Sequence, residues 1–151
     1  MKGMAMLLYL PMACPCFLPR QPFADSQCAS AFPRPLGSAW RGECRSPLAP
    51  SNEALEDRHM LNCCNMGYSA GRCGNFPAGN ADSVRFSISS DTGPAIYVDW
   101  VHERDHLPAA HGRAEYHRHT GQFAPALNSE VLTAQALAYV TTYLRRREAA
   151  R

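Results

Sequence analysis

Eight prolines fall between residues 11 and 50: Pro11, Pro15, Pro19, Pro22, Pro33, Pro35, Pro47 and Pro50. Proline fixes φ and donates no backbone hydrogen bond, so this stretch is barred from a long helix or a central strand. A segment so interrupted is expected not to hold itself together by a backbone ladder. It needs a staple from outside, and metal ligation is one such staple. The same half of the chain carries every cysteine: Cys14, Cys16, Cys28, Cys44, Cys63, Cys64 and Cys73. Interrupted backbone and clustered thiols together set the problem this chain must solve to fold.

Seven cysteines cannot all pair as disulfides. Cys63 and Cys64 are neighbours, and neighbours in sequence rarely meet disulfide geometry. In a reducing compartment, clustered cysteines act more often as metal ligands or redox groups. The compartment expected here is the cytoplasm, with export as the alternative. Met1 to Leu18 is apolar and could be taken for a signal, but Pro11 and Pro15 break it and Lys2 is its single charge. The run is also shorter than the roughly 20 residues of a membrane-spanning helix. Met12 offers a second start, so residues 1–11 read as an N-terminal extension and residues 12–151 as a single domain.

The chain has 151 residues, 46% of them apolar, which suits one domain with a core of its own. Fifteen Lys and Arg face thirteen Asp and Glu, a net charge of +2. That balance makes no electrostatic case for nucleic acid. Arg145, Arg146 and Arg147 fall at the end of a predicted helix, where they favour its dipole.

The second half is patterned differently. Asn52 to Leu61 predicts a short helix capped by Ser51 or Asn52 and running into Cys63 and Cys64. Cys64 to Cys73 reads as a tight loop, with Gly67 and Gly71 permitting positive φ. Beyond it, Val84, Phe86 and Ile88 alternate with polar residues, a strand signature. Asp91 to Pro94 is a turn, and Ile96 to Val101 a second strand. Arg113 to His119 alternates again, and Thr120-Gly121 turns it back toward Phe123. Asn128 or Ser129 caps a helix to about Arg147, whose apolar stripe is Leu132, Ala136, Leu137, Val140, Tyr143 and Leu144. The predicted fold is α+β: a Cys/Pro-rich irregular N-terminal half with a metal centre, a short antiparallel sheet and one C-terminal helix.

Thiolates for a metal come from three places: Cys14-Pro15-Cys16, Cys44, and the Cys63-Cys64 to Cys73 loop. Eight residues separate Cys64 from Cys73, so this is neither a zinc ribbon with two C-x-x-C knuckles nor a ferredoxin run. The phrases Cys14-Pro15-Cys16-Phe17, Cys64-Asn65-Met66-Gly67-Tyr68-Ser69-Ala70-Gly71-Arg72-Cys73 followed by Asn75-Phe76-Pro77, and Glu103-Arg104-Asp105-His106-Leu107-Pro108-Ala109-Ala110-His111-Gly112 resemble a group of uncharacterised bacterial cysteine-rich proteins. The resemblance runs from about residue 12 to 147. It implies that the cysteines form one ligand unit in a cytoplasmic setting, and it favours Cys64 over Cys63. The ligand set is then Cys14, Cys44, Cys64 and Cys73, with Cys16 or Cys63 as substitutes and Cys28 as a small buried apolar residue. Four thiolates suit an iron–sulfur cluster or structural zinc. Scattered ligands and a glycine-rich loop able to turn amides toward sulfide favour the cluster.

Two other readings stay open. A thiol-redox protein would use Cys14 and Cys16 or the Cys63-Cys64 pair, although neither is a C-x-x-C. His102-Glu103-Arg104-Asp105-His106 matches the H-E-x-x-H of zinc hydrolases, with Glu130 as a conceivable third ligand. That motif needs a helix, whereas the preceding residues read as strand and Pro108 follows at once. Asp105 and His106 are instead expected to bond a turn shaped by Pro108 and Gly112. A mixed Cys/His site could recruit His102. His117 and His119 are expected on one strand face, and His59 on the exposed face of the short helix.

Overall fold

A computed structural model describes residues 13–23, 36–37, 39–48, 55–65, 81–104 and 107–149, with the side chains of residues 62 and 63 left aside. Four antiparallel strands form the main sheet in the order of the chain: β3 (Ser83–Asp91), β4 (Ala95–Arg104), β5 (Leu107–His117) and β6 (Gln122–Phe123). The alternation expected from sequence sorts its two faces. Val84, Phe86, Ile96, Val98, Ala114 and Tyr116 are buried. On the other face, the register pairs Asp99 with Arg113 and Tyr97 with Glu115. Both pairs bond, Arg113 Nε to Asp99 at 2.7 Å and the Tyr97 hydroxyl to Glu115 at 3.0 Å.

Helix α2 (Glu130–Ala149) covers the buried face. Ser129 caps it, its hydroxyl accepting the Leu132 amide at 3.2 Å. Leu132, Ala136 and Val140 enter the core, and Tyr139 stacks on Phe86 with ring centroids 5.7 Å apart. Leu137 departs from the expected stripe: it is 39% exposed. Two polar residues, Gln135 and Thr142, take buried positions instead. They do so because carbonyls of the N-terminal half meet them there.

The expectation that the proline-rich half forms no ladder is corrected. β1 (Phe17–Pro22) pairs antiparallel with β2 (Trp40–Cys44), despite Pro19 and Pro22. A two-stranded ribbon bonds each strand on one side only, so prolines fit at edge positions, and the register shifts between Pro19 and Gln21. The ribbon is anchored rather than isolated. Phe17, Leu18 and Trp40 are buried, and Ala13 joins the edge of the main sheet through two backbone bonds with Val84, at 2.7 and 2.8 Å.

Four further expectations change. The short helix α1 is Asp57–His59 and continues as a π-helical turn, Met60–Cys64; no side chain caps it, and Ser51 and Asn52 lie outside the described residues. His59, expected on an exposed face, is half-buried. Pro108 and Gly112 do not shape a turn: both lie within β5, paired with Glu103 and Trp100 of β4. His119 lies beyond the end of β5, in the turn, and shares no strand face with His117. Asp105 and His106 lie outside the described residues.

Asp91 ties the sheet to α2. Arg118 grips its carboxylate with two bonds, at 2.5 and 3.1 Å, while the Gly93 amide and the Tyr143 hydroxyl donate at 3.0 and 2.8 Å. Arg118 chiefly, with Gly93 and Tyr143, holds this carboxyl well below the usual carboxylate range, although burial pushes the other way.

Candidate thiol site

Backbone bonds tie the segments that carry Cys14, Cys16, Cys44 and Cys64 to one another where the ribbon, the π-turn and the edge of the main sheet come together. The Cys14 amide donates to the Cys64 carbonyl at 3.0 Å, one residue after Ala13 is pinned to Val84. Cys14 to Phe17 is a turn closed by the Phe17 amide on the Cys14 carbonyl at 3.1 Å. Pro15 stands at the position of such a turn that its fixed φ favours. The Arg45 amide donates to the Cys16 carbonyl at 2.8 Å, and Cys44 is the register partner of Phe17.

Two buried amide side chains hold these pieces. Gln135 of α2 donates through Nε2 to the carbonyls of Cys14 and Phe17, both at 2.8 Å. The partners are two acceptors, which fixes the orientation of the carboxamide. Its Oε1 is buried with no hydrogen-bond partner. Amide geometry keeps that oxygen within about 5 Å of the Cys14 carbonyl. Asn65 follows Cys64 and is fully buried. It accepts from the Trp40 amide at 2.9 Å and donates to the carbonyls of Trp40 and Met60, each at 2.8 Å. The Met60 sulfur accepts the Gly42 amide at 3.4 Å. Cys64 is thus fixed both to β2 and to Cys14.

Of the expected ligands, the fold brings Cys14 and Cys64 onto hydrogen-bonded segments, both buried. Cys44 and Cys16 are half-buried beside them. No disulfide joins any two of these four. Cys73 and Cys28 lie outside the described residues, as does the side chain of Cys63. Among the described residues, no three His, Cys, Asp or Glu side chains converge as a metal-ligand set. Gln135 and Asn65 were not legible as site residues, because a polar residue on a helix or after a cysteine carries no sequence mark of the distant carbonyl it will meet.

The described part of the H-E-x-x-H match lies on a strand rather than a helix. His102, Glu103 and Arg104 belong to β4, where the register with β5 shifts between His102 and Glu103. Burial lowers the His102 pKa, and its ring lies 5.2 Å from that of Trp100. Glu103 is buried and paired with Arg85 Nε at 3.2 Å. Glu130 is exposed and lies 3.5 Å from Arg45. His102 and Glu103, lying on a strand, lack the helical setting such a hydrolase requires.

Among the described residues, no helix is long and apolar enough to cross a membrane. No family model, no curated protein and no solved structure matches this chain.

Proposed function

We propose that this chain binds a metal through cysteine thiolates, with Cys14 and Cys64 as the ligand pair that folding positions and with Cys44 and Cys73 completing the set. Cys16 and Cys63 are the substitutes. The observation that carries this reading is the bond from the Cys14 amide to the Cys64 carbonyl. It joins two buried thiol-bearing residues from segments fifty positions apart. A metal there would tie the turn, the π-turn and the segment carrying Cys73 together. An iron–sulfur cluster is preferred to structural zinc, and its role would be structural, electron-transferring or sensing.

A second reading follows from the same pair. Two buried cysteines on bonded segments, with no third ligand converging among the described residues, also suit a reversible dithiol.

Elemental analysis, acid-labile sulfide and a visible spectrum on protein purified without air decide between them. Iron with sulfide, lost in both Cys64→Ser and Cys73→Ser, is the expected result. One zinc lost in the same variants would make the centre a structural staple. Metal-free wild-type protein that forms a Cys14–Cys64 disulfide on mild oxidation would replace the metal reading with the redox one.

A further inference from the structure

Strand β1 and helix α2 run alongside each other in the same direction. Gln135 meets the Phe17 carbonyl at the start of β1. Two turns later Thr142 and Arg146 meet the carbonyls of Leu36 and Gly37, close to Ala39, whose own carbonyl receives the Phe23 amide just past the end of β1. Between strand and helix lies an open groove of about 660 Å³, within the range of small-molecule sites. Leu18, Pro19 and Trp40 form its floor, and Ala134, Leu137 and Ala138 its helical wall. The Trp40 ring is fixed by its Nε1 bond to the Leu36 carbonyl at 3.3 Å. Leu137, the one residue of the predicted stripe that turns away from the core, opens into this groove.

The charges along the groove are unequal. Arg20, Glu43, Arg45 and Glu130 form a chain of ion pairs, at 3.2, 3.1 and 3.5 Å in turn, whose two cations and two anions cancel. Arg145 also lines the groove, and among the described residues it has no carboxylate partner. The groove is therefore apolar along its length and carries one uncompensated positive charge at one end. Glu130 and Arg145, which bound it, are about 22 Å apart along the helix axis, so an elongated occupant fits better than a compact one.

We propose that this groove binds a long-chain monocarboxylate. The aliphatic tail lies over Leu18, Trp40 and Leu137, and the carboxylate meets the Arg145 guanidinium, whose forked donors match its two oxygens.

Calorimetric titration of the full chain with dodecanoate and with dodecanol tests this, alongside the emission of Trp40 in a Trp100→Phe background. Arg145 and Leu137 are exposed, and circular dichroism checks that their variants fold. Dodecanoate is expected to bind one to one and to shift the Trp40 emission. Arg145→Ala is expected to weaken dodecanoate about tenfold, the loss of one charge-assisted contact, and to leave dodecanol unchanged. Leu137→Glu is expected to abolish both. Absence of saturable binding to the wild-type chain would overturn the proposal. So would an Arg145→Ala variant that binds dodecanoate as tightly as wild type, or retention of binding in Leu137→Glu.

Discussion

The Gln135 carboxamide and the Cys14 carbonyl meet at 2.8 Å across 121 positions of sequence. With its second bond, to Phe17, Gln135 makes the C-terminal helix the clamp on the turn that carries Cys14 and Cys16.

Replacing that clamp separates fold from site. Gln135→Leu preserves bulk and helix propensity but leaves two buried carbonyls each short of a donor. It is expected to cost about 1–3 kcal/mol in urea unfolding. It is also expected to speed alkylation of Cys14 and Cys16 relative to Cys44 in the folded, metal-free protein. Mass spectrometry of a timed alkylation reads the second effect. Equal acceleration at all three cysteines would reduce Gln135 to a general stability residue.

Asp91 supplies a pH dependence with a definite sign. Its folded pKa is depressed, first by Arg118, so its contribution is full above the unfolded value of about 3.9. It fades as pH falls below that value toward the folded one. Asp91→Asn should therefore be less stable than wild type at pH 7, by about 1–3 kcal/mol. The gap should narrow between about pH 5 and pH 2. Unfolding curves across that range check it, and a gap that stays constant would mean the carboxylate charge is not what binds Arg118.

His102 in a strand predicts that metal content does not depend on it. His102→Ala should keep the metal stoichiometry of wild type, whereas Cys64→Ser should not. A matched loss in His102→Ala would restore the mixed Cys/His site that the residue types allow.

Much of the second half was readable because its signals are local. Val84, Phe86 and Ile88 alternate with polar neighbours, Asp91 to Pro94 turns, and Ser129 caps, each within a few residues of its own partners. The misreadings arise where edge position overrides local preference. Pro108 looked like a stop, but it lies near the start of β5, where β4 is the partner on one side and β6 pairs only with Tyr116 and His117. An edge strand tolerates a residue without an amide donor. Pro19 survives in β1 for the same reason. The thiol site was legible as a set of residue types and not as a geometry. What brings Cys14 to Cys64 is a backbone bond between distant segments, supported by Gln135 and Asn65, and no spacing rule encodes that.

Gly112 was read as a turn residue, and its place under Trp100 gives the sharpest stability test. The two are register partners, and a Cβ at Gly112 would lie 2.7 Å from the Trp100 ring. The ring is flanked by His102 as well, so it has little freedom to move aside. Gly112→Ala is expected to destabilise by about 1–3 kcal/mol through overpacking. Trp100→Leu removes the obstruction, so the alanine should cost much less in that background, a coupling readable in a double-mutant cycle. Gly93→Ala serves as the contrast. Nothing lies within 4 Å of its Cβ position, but its φ of +95° strains any L side chain. That cost should be the same whether residue 100 is Trp or Leu. If Gly112→Ala behaves like Gly93→Ala, with no coupling to Trp100, then the glycine serves backbone conformation rather than the packing of the ring.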